Sequence, residues 1–145
     1  MHNQSVPTNA AVPHIVYTNV AEAIAFLTTH FGFTEHYRYG PPADPQGAQL
    51  RLHHAVIMLT GTRPGRSTPN QLAAITQHTT IIVPDVSAHY ANAISAGATI
   101  TEPPAQTPYG ELEYSAQDHA GHRWIFAQHT ANISPQDWGA TPATP

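Results

Sequence analysis

Short β-branched runs and two stretches of helical period alternate along the chain from residue 12 onwards. VPHIVYT (12–18) has the bulky, β-branched make-up of a strand. Asn19 predicts a helix N-cap before VAEAIAFLTTHFG, where Val20, Ile24, Phe26 and Leu27 form one apolar face and Gly32 marks the stop. FTEHYRY (33–39), AQLRLHH (48–54) and AVIMLTG (55–61) read as three strands, with the proline-rich loop PPADPQG after the first. The same order then returns. HTTIIVP (78–84) predicts a strand, and Asp85 caps a helix over VSAHYANAISAGA with Gly97 at its end. ATITE (98–102), the proline-rich loop PPAQTPYG, LEYSAQD (112–118) and HRWIFAQ (122–128) complete the second copy.

The repeat of strand, helix and three strands predicts an α+β fold built from two βαβββ modules, 12–61 and 78–128. The intervening residues 62–77 carry the glycine and proline of a linker. A module of this kind offers one sheet face to its helix and leaves the other free. Two curved mixed sheets therefore enclose a concave cavity, and strand alternation selects the side chains that line it. The folded domain spans 11–130. Residues 1–10 are polar and read as a flexible N-terminus, and 131–145, ending in ATPATP, read as a C-terminal tail.

Composition narrows the chemistry. There is no cysteine, which excludes disulfides, zinc–thiolate sites and thiol nucleophiles and fits a cytoplasmic protein. There is no lysine, so Schiff-base chemistry on lysine is excluded. Five arginines against nine carboxylates give a net charge of −4, which argues against nucleic acid as partner. No apolar run approaches the ~18 residues of a membrane span, and MHNQSVPTNA lacks the basic-then-apolar pattern of a signal peptide. No strand–GxSxG–helix motif occurs. Eleven histidines stand out. His53 and His54 are read as strand positions, one ring facing in and one out. Glu111 and Glu113 share a strand face and read as a polar rim.

The stretch YGELEYSAQDHAGHRWIF (109–126) reads as a closing hairpin. Asp118 suits the first position of the turn, where its carboxylate accepts a backbone N–H, and Gly121 suits a positive-φ position. Trp124 and Phe126 alternate with Arg123 and Ile125, so one pair packs under a helix while the other faces the cavity.

Three stretches, NVAEAIAFLTTHFGF, PDVSAHYANAISAGATI and this last hairpin, resemble the vicinal oxygen chelate superfamily of glyoxalase I, extradiol dioxygenases and bleomycin-resistance proteins. The resemblance covers residues 11–130. It implies that metalloenzyme ligands would come from the first and last strand of each half, here Val12, Met58, His78 and Ile125. Only His78 is a ligand type, so a catalytic metal is not expected. The fallback is a zinc, iron or manganese site on His14, two residues from Val12 on the same face, and His78, with Glu113 or His53 as a third donor.

Alternation gives the cavity wall: Val12, His14, Val16, Val56 and Met58 from the first half, and His78, Thr80, Ile82, Arg123 and Ile125 from the second. Tyr37, Tyr109 and Trp138 are candidate aromatic walls. The ligand-binding set is His14, Met58, His78, Thr80, Tyr109, Glu113, Arg123, Ile125 and Trp138, with no catalytic residue. His14, His78 and Arg123 orient the ligand, and Tyr109 and Trp138 stack on it. The resulting reading is a metal-free, homodimeric protein of the bleomycin-resistance kind that sequesters a planar or aromatic small molecule. The alternatives are a divalent-metal lyase or dioxygenase using His14 and His78, and a dimeric interaction module.

Overall fold

Asn19 opens the first helix, α1 (Val20–Phe31), with its side-chain oxygen accepting the Glu22 N–H at 3.0 Å, and Gly32 ends it at φ 73°. Asp85 does the same for the long helix of the second half, accepting the Ala88 N–H at 2.9 Å. In the computed structural model, which describes residues 1–144, β1 (His14–Tyr17) precedes α1. β2 (Thr34–Tyr39), β3 (Gly47–Leu52) and β4 (Ala55–Gly61) follow it. A short helix, α2 (Pro69–Leu72), leads into β5 (His78–Ile82) and α3 (Val86–Ser95). β6 (Thr99–Gln106), β7 (Glu111–Gln117) and β8 (Arg123–His129) complete the second half, and a 3-10 turn spans Pro135–Trp138.

The strands form two four-stranded mixed sheets of the same topology, β1-β4-β3-β2 and β5-β8-β7-β6. In each, the first strand lies parallel to the last and the remaining pairs are antiparallel. The sheets share no ladder and close no barrel. A single apolar core joins them. Ile15, Tyr17, Leu50, Ile57 and Leu59 of one sheet meet Ile81, Tyr114, Trp124 and Phe126 of the other, with Leu27 and Phe31 of α1 and Val86 of α3 packed in the same cluster. Phe31 lies 5.1 Å from Phe126 and 6.0 Å from Trp124, ring to ring. In β1, β4 and β8 alternate residues turn inward (Ile15 and Tyr17, Ile57 and Leu59, Trp124 and Phe126), leaving the opposite face of each sheet outside the core.

Four expectations need correction. The buried stripe of α1 is Val20, Ala23, Ile24, Leu27 and Phe31; Phe26 is partly buried at its edge, stacked on His30 at 4.0 Å. β6 does not stop at Glu102 but runs through Pro103 and Pro104, which an edge strand tolerates, with register shifts on either side of Glu102. The linker contains α2, whose capping box pairs the Thr68 hydroxyl with the Gln71 N–H while the Gln71 side chain accepts the Thr68 N–H. Finally, His53 and His54 are not strand positions: they connect the paired residues Leu52 and Ala55, and His53 takes φ 52°.

Polar contacts also tie the two modules together. The Asp118 carboxylate, 4% exposed, accepts Tyr17 O–H at 2.7 Å and Trp124 Nε1–H at 3.0 Å on one oxygen. Its other oxygen accepts the N–H groups of Ala120 and His122, each at 3.0 Å. The His122 ring donates from Nε2 to the Val16 carbonyl at 2.7 Å. Burial first, and then the charge of Asp118, pushes the Tyr17 phenol well above its ordinary range. Gly121, at φ 90°, leaves the space that Asn70 of α2 fills.

The half-buried His89 of α3 is a third tie. Its Nε2–H donates to the Phe31 carbonyl at 2.9 Å, and its Nδ1 accepts the Tyr114 hydroxyl at 2.7 Å. Desolvation lowers its pKa below the ordinary imidazole value, the Phe31 carbonyl opposes this, and nearby His53 adds to it. The unfolded chain then binds a proton at His89 more readily than the folded one. Stability is complete above about pH 6.5 and falls as pH drops below it toward the lowered folded value. His89→Gln, which keeps a donor for Phe31, is expected to show a smaller loss of thermal midpoint between pH 7.5 and 5.5 than wild type. Parallel losses in the two proteins would exclude His89 as a source of acid sensitivity.

Candidate functional site

The outer faces of the two sheets carry the chemistry that the core excludes. On the first, register places His14 beside Met58, Met58 beside Gln49, and Gln49 beside Tyr37. Gln49 is the hub of this face and is fully buried. Its amide N–H groups point at the Ser5 carbonyl at 2.7 Å, the Tyr37 hydroxyl at 3.2 Å and the Met58 sulfur at 3.7 Å. Its carbonyl oxygen accepts from His36 Nδ1 at 2.7 Å and Arg51 Nη2 at 3.4 Å. Residues 1–10, read from sequence as flexible, thus lie across this face where Ser5 meets Gln49. Val12 lies ahead of β1, outside the strand.

On the second outer face, His78 stands beside Arg123, Thr80 beside Ile125, and Ile125 beside Ser115. Ser115 donates to Glu102 at 3.3 Å. Tyr109 O–H donates to Glu113 at 3.1 Å, and its ring meets the Trp138 ring edge-on at 5.7 Å. Partial desolvation first, and then the Glu113 carboxylate, raises the Tyr109 phenol. Glu111 pairs with His129 at 3.0 Å, so the two glutamates hold separate partners.

The sequence-derived set therefore divides. His14 and Met58 belong to the first sheet; His78, Thr80, Arg123, Ile125 and Glu113 belong to the second; Tyr109 and Trp138 pair beyond it. His14 and His78 are both exposed, and His14 lines a pocket of about 150 Å³ with Val16, Leu72, Gln77 and His122. Val56 and Thr80 share a second pocket, of about 160 Å³, with Pro7 and Ala10. Another, of about 520 Å³, is formed where His53 and His54 face Ile82, Pro84 and His129.

This architecture has relatives. The family model of the glyoxalase/bleomycin resistance protein/dioxygenase superfamily matches residues 10–126. The chain belongs to this superfamily. It is 30% identical over 131 residues to an uncharacterized protein of Mycobacterium bovis, covering 86% of each chain. Among solved structures it resembles TioX from Micromonospora sp. ML1, with 26% identity, a TM-score of 0.67, and 83% of this chain and 99% of that one covered. A bleomycin-binding protein complexed with bleomycin shares the fold at 18% identity and a TM-score of 0.66, over 84% and 99% of the two chains.

The metal that some enzymes of the glyoxalase/bleomycin resistance superfamily use does not fit the residues present. His14 adjoins a thioether at Met58, and His78 adjoins the guanidinium of Arg123, a fixed cation where a divalent ion would need a donor. Among the described residues no three His, Asp or Glu side chains gather in ligating geometry. Sequence reasoning missed Gln49 and Arg51. The alternation that buries Ala48, Leu50 and Leu52 also assigns both to the outer face, so the signal was present in the strand period. No helix among the described residues is long and apolar enough to cross a membrane.

Proposed function

We propose that this protein is a small-molecule binder of the bleomycin-resistance kind. It takes up a planar, largely apolar compound without a metal, on the outer faces of its two sheets. Two copies bring these faces opposite one another and close the site. One observation carries the reading: adjoining registers set apolar groups (Val56, Met58, Ile125) beside hydrogen-bonding ones (His14, Gln49, Thr80, Arg123) on the faces turned away from the core. Apolar walls with a few convergent polar groups hold a small molecule by shape and orient it by hydrogen bonds. A related fold that binds bleomycin supports the same class of ligand. His78 and Arg123 orient the compound from one wall, and His14 from the other.

The test is a thermal-shift screen of untagged protein against aromatic compounds and divalent metals, followed by calorimetry on wild type, His78→Ala and Arg123→Ala. A hit is expected to raise the melting temperature by mass action. Each variant is expected to weaken it by roughly 1–2 kcal/mol, the scale of one buried hydrogen bond. Unchanged affinity in both variants removes the second sheet from the site. Stoichiometric zinc, iron or manganese in the purified protein, with activity lost on chelation, replaces this reading by the enzyme.

A further inference from the structure

The first outer face is electrically lopsided. Its cation is Arg51, beside Gln49 on β3 and in register with Val56 on β4. Arg51 makes no ion pair among the described residues, and its Nε is buried without a hydrogen-bond partner. Its one side-chain bond, from Nη2 to the Gln49 carbonyl oxygen, is long at 3.4 Å. Glu35, the carboxylate on the neighbouring β2, is held by Arg38 at 2.6 Å through both its oxygens. On the second outer face Arg123 likewise has a buried Nε without a partner, but there Glu102 and Glu113 share the face with it.

Arg51 lines a pocket of about 430 Å³ closed on one side by the N-terminal segment, together with His2, Asn3, Gln4, His53 and His54. Every polar side chain among these offers an N–H, and none is a carboxylate. Val6, Pro7 and Val56 supply the apolar remainder of the wall. A guanidinium withdrawn from water with a donor unspent costs free energy unless an acceptor arrives, and a planar fork of N–H groups matches a carboxylate or phosphate.

We propose that this pocket is an oxyanion subsite and that the ligand is an aromatic acid, its anionic group seated on Arg51 beneath the N-terminal segment and its ring against Val6, Pro7 and Val56. The assignment rests on the binding function proposed above and names the ligand's charge. It also gives residues 2–7 a role as the cover of the subsite.

Calorimetric titration with three probes of one ring system tests it: naphthalene-2-carboxylate, 2-naphthalenemethanol and 2-naphthalenemethylamine. The carboxylate is expected to bind wild type at least tenfold more tightly than the alcohol, and the amine more weakly than either. Arg51→Gln is expected to erase the preference for the carboxylate, and Arg51→Lys to keep part of it. Amide chemical shifts should move in residues 2–7 and 51–56 on adding the carboxylate. Equal affinity for carboxylate and alcohol overturns the subsite while leaving an aromatic binder standing. A carboxylate preference that survives Arg51→Gln but is lost in Arg123→Gln also overturns it, placing the anion on the other sheet. Binding of none of the three overturns the subsite and, if the broader screen is also empty, the binding function with it. Matching thermal unfolding of the variants separates lost affinity from lost fold.

Discussion

Asp118→Ala is expected to destabilise the protein by about 4 kcal/mol, far more than any other single carboxylate removal. The carboxylate is almost fully buried and is the acceptor for four donors from three parts of the chain: the β1 phenol of Tyr17, the β8 indole of Trp124, and two amides of its own turn. Truncation leaves all four buried without partners, and each unsatisfied group costs about 1–3 kcal/mol before water or relaxation recovers part of it. A loss of this size belongs to the rare class of broken buried networks. Asp118→Asn keeps an oxygen for the two amides and sets an NH₂ against the indole N–H, which cannot turn round to accept. Its cost is expected at about 2 kcal/mol. Urea unfolding followed by tryptophan fluorescence and circular dichroism measures both. A cost below about 1 kcal/mol for the alanine variant would mean that the network is not formed in solution.

Trp124→Ala is the second large effect, also expected at about 4 kcal/mol. Trp124 is fully buried, with Phe33 5.6 Å, Phe31 6.0 Å and Phe126 6.3 Å from its ring centre. Phe31 and Phe33 come from the first module, so the cavity would open at the seam between the two halves. Deleting a buried Trp side chain costs about 3–5 kcal/mol, with the spread set by how far the site collapses. Trp124→Phe retains most of the packing and loses the N–H donated to Asp118, and about 1–2 kcal/mol is expected. The two sites share a hydrogen bond, so the double variant with Asp118→Ala should be less destabilised than the sum by about 1 kcal/mol. Strict additivity would show that the indole and the carboxylate do not interact.

Local signals carried most of this architecture. Asn19 and Asp85 announced both long helices because a cap is a bond within three residues, and the burial alternation of β4 and of the first half of β8 follows the period of two. The short helix α2 was overlooked although Thr68-Pro69-Asn70-Gln71 spells out a capping box with proline at its first position. Asp118 was legible as a turn former but not as the junction of two modules. Trp124 lies only six positions away on the same hairpin, but the bond to Tyr17, which joins the modules, spans 101 positions. The candidate site was legible in part for the same reason. Alternation assigned His14, Met58, His78 and Arg123 to the sheet faces on which the registers place them, while the contacts of Gln49 and Arg51 with Ser5, His36 and the N-terminal segment are encoded by no local pattern.

The two prolines of β6 limit how copies of this protein can meet. In an antiparallel strand, consecutive N–H groups alternate between the paired neighbour and the open side. Pro103 and Pro104 remove one of each, and the irregular register around Glu102 absorbs the loss on the β7 side. On the open side the ladder is interrupted in mid-strand, where an incoming strand would find no donor. A free sheet edge is the usual seed of open-ended stacking and fibre growth. Here that route is blunted by covalent structure, so the β6 border can stay solvent-facing at high concentration without recruiting neighbours. β6 therefore offers no continuous ladder to another copy, and its sheet does not grow past that border by strand addition.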